Sequence, residues 1–139
     1  MTRALYLGAG ALLAFATCAL MYAGSAGAQE SEEQQPKPKH AIKDVMHGAH
    51  VAPEGGKSLK DRVVAGDATA EEKQKLLDLY ISLAENKPPR GELEGFQKKT
   101  RGVILAAAKV VVGREGAGRE LARATNCAAC HRDHKPPTQ

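Results

Sequence analysis

Near its C-terminus the chain reads ATNCAACHRDHKPPTQ, with Cys127 and Cys130 three apart and His131 directly after them. On a helix, at about 100° per residue, the two thiols and the imidazole project within an arc of roughly 100°. Two thiols on one face can each form a thioether to one of the two vinyl groups of a single porphyrin, while the imidazole reaches the iron. C-x-x-C-H is the attachment signal for c-type haem, and an imidazole nitrogen on the iron sets its proximal geometry and range of potential. The spacing therefore predicts one covalently attached haem c, bound by Cys127, Cys130 and His131, with His131 as an iron ligand.

Three other chemistries use cysteines at this spacing. A redox-active dithiol of the thioredoxin type needs a strand leading into the motif helix, and no period-two alternation precedes Cys127. A zinc site would have to recruit its fourth ligand from His134 or a more distant histidine, without a second cysteine pair. A disulfide across one helical turn closes so short a loop that it would staple almost nothing.

The chain has 139 residues and a net charge of +4. Residues 1–28 place a single cation, Arg3, ahead of a Leu/Ala/Gly-rich stretch from Ala4 to Gly24 and close with Ala26-Gly27-Ala28. That is the grammar of a secretory signal peptide cut after Ala28, because the processing protease accepts only small side chains at those two alanines. The competing reading is an uncleaved anchor, since the apolar run can span a bilayer if stretched. A lipid anchor on Cys18 fits less well after Phe15-Ala16-Thr17.

Cleavage removes Cys18, Tyr6, Phe15 and Tyr22, leaving Cys127 and Cys130 as the cysteines and Tyr80 and Phe96 as the aromatics. A domain this small is marginally stable even with an ordinary share of large apolar side chains, so a prosthetic group is the natural filling for so thin a core. The mild basic excess suits acidic protein partners or lipid headgroups rather than nucleic acid. Export places the mature protein in the periplasm, with no stable membrane insertion once the leader is gone.

Gln29 to Lys39 (QESEEQQPKPK) lacks apolar periodicity and reads as a disordered polar spacer. Beyond it, residues 40–135 form the expected helical domain, with 136–139 as a tail. Ile42, Val45, Met46 and Ala49 fall at helical spacing, giving a first helix over about His40–His50. After VAPEGG, Ser58–Ala65 can make two turns with Leu59, Val63 and Val64 inward. Thr69 and Glu72 form a capping box opening a helix that carries Leu76, Leu77, Leu79, Tyr80 and Leu83 and stops before Lys87-Pro88-Pro89.

A long helix over Glu92–Val112 turns Leu93, Phe96, Thr100, Val103, Ile104, Ala107, Val110 and Val111 inward. A last helix, Ala117–His134, carries the motif. The fold class is all-α, and short connections between amphipathic helices predict an antiparallel four-helix bundle.

In the common small cytochrome c fold the attachment motif lies near the N-terminus, with a methionine ligand many residues later. Here only Arg132–Gln139 follow His131 in the sequence, without a methionine, so that fold is not the expected one. The segment CAACHRDHK instead resembles the cytochrome c′ family, the class II c-type cytochromes. In these exported four-helix bundles the last helix carries C-x-x-C-H close to the C-terminus. Cys127, Cys130 and His131 match the family's haem-binding residues, and Lys135 matches a basic position it usually keeps. The first helix is shorter than usual and a Gly-rich segment follows it.

The resemblance implies that the sixth iron position faces the first helix, with methionine there in low-spin electron carriers and an apolar residue in gas-binding members. HAIKDVMHGAH offers Met46 on the apolar face as the expected distal ligand, although a methionine on such a face is also ordinary core filler. His50, one turn later on nearly the same face, is the second candidate. His40, His47 and His134 are expected at the surface. Arg123, one turn before Cys127, could pair with a propionate or lie in solvent. Tyr80 and Phe96 are expected in the core.

The resulting expectation is a periplasmic monohaem c-type cytochrome that carries single electrons between redox protein partners; the resemblance adds a homodimer as a candidate assembly. The alternative is a five-coordinate, cytochrome c′-like protein binding nitric oxide or carbon monoxide. No nucleophile–base pair, phosphate loop or carboxylate dyad marks the chain as an enzyme.

Overall fold

The computed structural model describes residues 37–137, and every statement below concerns them. The expected signal peptide and most of the polar spacer lie outside the described residues. The described chain is all-helical: α1 (Ile42–His50), α2 (Leu59–Ala65), α3 (Ala70–Glu85), α4 (Leu93–Val111), α5 (Ala117–Ala124) and α6 (Cys127–His134).

α1 has no side-chain cap at its N-terminus. α3 fixes its entry instead, since the Ser82 hydroxyl accepts from the His40 N–H at 2.7 Å and Asn86 Nδ2 donates to the His40 carbonyl at 2.9 Å. Lys39, at the end of the expected spacer, pairs with Asp78 at 2.7 Å. Val45 and Ala49, four apart, are wholly buried and give α1 its inward stripe.

α2 starts at Ser58, whose hydroxyl accepts from the Asp61 N–H, and stops at Gly66 in the left-handed region. The Thr69–Glu72 capping box is present at the start of α3, worth about 1 kcal/mol for such a cap. α3 ends at Asn86, ahead of the two prolines, and α4 begins within a few residues of them. So short a connection between two closely packed helices makes α3 and α4 an antiparallel hairpin, and theirs is the most extensive packing in the chain.

α5 lies along α4, α1 packs on α3, and α2 bridges α1, α3 and α5. Leu76, Leu79, Tyr80, Leu83, Phe96, Ala107, Val110 and Leu121 make the centre of the core with Val45 and Ala49. Most of the predicted inner face of α4 is buried or half-buried, from Phe96 and Thr100 to Ala107 and Val110. α5 crosses α2 so closely that a Cβ on Gly118 would stand 2.8 Å from the Val64 carbonyl oxygen.

The expected single helix over Ala117–His134 is two. It breaks at Thr125-Asn126, where Asn126 turns extended. The Thr125 hydroxyl bonds back to the Leu121 carbonyl at 2.8 Å, and Asn126 Oδ1 accepts from the Ala129 N–H at 3.1 Å. Short polar side chains offer the backbone an alternative to the helical ladder, and here two adjacent ones take it. The interruption restarts the chain at Cys127, so the motif occupies the first turns of its own short helix. Among the described residues no helix is long and apolar enough to cross a membrane.

Candidate functional site

α6 presents Cys127 and His131 exposed and Cys130 half-buried against the edge of the core. Both thiols are free. Cys127 Sγ lies 3.5 Å from the Thr125 carbonyl oxygen. Burial pushes the Cys130 thiol up from its usual range, offset in part by Lys99.

Polar contacts, rather than an apolar face, hold this helix. Lys99 of α4 donates to the Ala129 carbonyl at 2.8 Å and pairs with Asp133 at 2.5 Å. Arg90 donates to the carbonyls of Arg132 and Asp133. Arg132 first, and Lys99 second, hold the Asp133 carboxyl well below the usual carboxylate range.

His134, expected at the surface, is the one residue of α6 that is fully buried. Its Nδ1 lies 3.1 Å from the Arg90 carbonyl and its ring meets Phe96 edge-on at 5.3 Å. The position reverses the expectation because the Arg90-Gly91 turn folds over the end of α6. Gly91 has φ +77°, and a Cβ there would stand 2.7 Å from the Asp133 carbonyl oxygen. Sequence reasoning missed Arg90, Lys99 and His134 as the residues that seat α6. The one available signal was the glycine following Arg90 beside a proline pair, which marks a turn but not what it closes upon.

Among the helices α6 packs on α4 and makes no comparable packing on α1 or α3. His50 at the end of α1 and Tyr80 of α3 lie within electrostatic reach of His131 and Cys127 respectively. Burial and Lys60 lower the basicity of His50, Asp61 opposes them, and His131 is close enough to add to the lowering. Burial, then the charges of Cys127 and Asp61, push the Tyr80 phenol above its ordinary value.

The structure thus pairs His50 with Tyr80 and sets them within electrostatic reach of His131 and Cys127. Met46 is half-buried and packs on the apolar cluster. Tyr80 and Phe96 are core residues as expected, His47 and Arg123 are exposed, and His40, expected in solvent, is half-buried near Asp78.

The residues fit a covalently attached porphyrin. An exposed thiol, a half-buried one and an exposed imidazole share one helix, and the His50 imidazole and Tyr80 phenol keep buried polar atoms without partners. A porphyrin brings its own four nitrogens and asks the protein only for axial ligands. Among the described residues no three or more His, Cys, Asp or Glu side chains cluster as a metal site, so a tetrahedral zinc centre has no preformed ligand set. An open depression of about 730 Å³ lined by Glu71, Lys73, Gln74 and Asp78 of α3 and Val111 of α4 shares no residue with the motif. Comparison with protein-family models, curated proteins and solved structures finds no match to this chain.

Proposed function

We propose that the chain is a periplasmic monohaem c-type cytochrome, built as a cytochrome c′-like four-helix bundle, that carries single electrons between redox protein partners. The observation that carries this reading is the arrangement of Cys127, Cys130 and His131 on a helix anchored by polar contacts and short of apolar ones. A helix of this length is marginal in water, and exposed ion pairs contribute about 0–1 kcal/mol each, so a large apolar partner is the missing term.

Cys127 and Cys130 would each add S–H across one vinyl group, the sulfur bonding one carbon and the hydrogen the other, with no oxidant required. His131 and a side chain of α1, Met46 or His50, would hold the iron. The haem supplies the one-electron chemistry. Tyr80, Phe96 and the aliphatic residues of α3 and α4 would wall it from water, and the exposed cations near α6, Arg90, Arg132 and Lys135, would favour brief docking to acidic partners.

The ferrous absorption spectrum with and without carbon monoxide tests this function. A low-spin spectrum indifferent to the gas is the expected result. A ready shift on adding the gas identifies an open sixth position and a gas-binding protein instead of a carrier.

A further inference from the structure

Among the described residues three buried side-chain polar atoms lack a hydrogen-bond partner: His50 Nδ1, Tyr80 Oη and His134 Nε2. His134 belongs to the seat of α6, where its other nitrogen is satisfied. His50 and Tyr80 are different, because they are neighbours, with ring centroids 5.8 Å apart and planes tilted by 43°. Tyr80 is wholly buried. The His50 ring is half-buried with Nδ1 at its inner edge, which leaves Nε2 as the outer edge.

We propose that His50, through Nε2, is the sixth iron ligand, and that Tyr80 is its positioning residue, accepting the Nδ1–H. The proposal rests on the haem reading given above. A metal-bound histidine donates its other ring N–H to a fixed acceptor, which sets the tautomer and the ring orientation. His50 Nδ1 and Tyr80 Oη sit on neighbouring rings, unpaired and not bonded to each other, one able to donate and one to accept, so that a rotation of the rings would make that pair. Asp61 is spoken for, since its carboxylate already takes the Ser58 hydroxyl and the Lys60 ammonium.

Met46 competes on the same face of α1. Its thioether, however, is half-buried on the apolar cluster, a setting that packing alone accounts for. Packing does not account for an imidazole with an unsatisfied inner nitrogen beside a buried phenol, within electrostatic reach of His131.

The test uses the full-length exported protein and its variants, each first checked by intact mass for covalent haem. The wild type is expected to be low-spin in both oxidation states and to lack the weak red band of iron–thioether ligation. His50→Ala should become high-spin and bind carbon monoxide readily, and added imidazole should restore the low-spin spectrum. Met46→Leu should leave the spectrum unchanged.

Tyr80→Phe should stay low-spin while weakening the distal bond by about 10–100-fold, measured as displacement by carbon monoxide. A thioether band in the wild type, or its loss in Met46→Leu, overturns the proposal in favour of methionine. A high-spin wild type overturns it in favour of an open site. Should His50→Ala fail to accumulate, the wild-type band and Met46→Leu still decide. Protein that carries no haem at all overturns the underlying function, an outcome distinct from the others.

Discussion

Gly91 shows how one backbone position serves the candidate site. It lies at φ +77° with the Asp133 carbonyl oxygen 2.7 Å from where a Cβ would go, whereas Gly113 lies at φ +72° with nothing within 4 Å. An alanine in the left-handed region costs about 1–2 kcal/mol, so Gly113→Ala is expected to lose that much in denaturant unfolding. Gly91→Ala should lose more, because the backbone of α6 must also move, and its haem attachment should be impaired where that of Gly113→Ala is not. Equal losses would mean that the turn does not seat the helix. Cys127, Cys130 and His131 stand out as candidates from their types and spacing alone, because the proposed covalent tether would need only a local pattern. The burial of His134 and the placement of His50 beside Tyr80 could not be read that way, since each depends on residues some thirty or more positions distant folding over it.

α6 is the element on which the molecule turns. Asn126 caps its N-terminus, and replacing an Asn cap by alanine costs about 1 kcal/mol. In the full chain Asn126→Ala should therefore lower the hydrogen-exchange protection of the amides of α6 while leaving α3 and α4 unchanged; a uniform loss across all helices would show that α6 is integral to the core instead. α1 to α4 follow their apolar periodicity to within about two residues at each end, since the Thr69–Glu72 box, Gly66 and the Pro88-Pro89 pair are local stop and start signals. The split of the last helix escaped because Thr125 and Asn126 are merely weak helix formers.

Across the whole molecule, several carboxylates among the described residues are shifted in one direction by neighbouring cations and N–H groups. Asp61 is lowered chiefly by Lys60 and Ser58, Asp67 by Lys57, Glu72 by the Thr69 N–H and Glu120 by Lys109. A depressed folded value means that stability is fully present above the ordinary carboxylate range near pH 4 and is lost as pH falls through the lowered values. Unfolding followed from pH 6 to 2 should show a declining midpoint beginning at about pH 4, and a midpoint flat across that range would contradict these assignments. The core is thin for its length, with Tyr80 and Phe96 its buried aromatics among the described residues, a scarcity that the proposed attached haem would offset. Intact-mass spectrometry of the protein purified from its native host tests that claim most directly. The account predicts a mature chain heavier than its polypeptide by one haem, lost when Cys127 and Cys130 are both replaced by alanine; a colourless chain of polypeptide mass with two free thiols would contradict it.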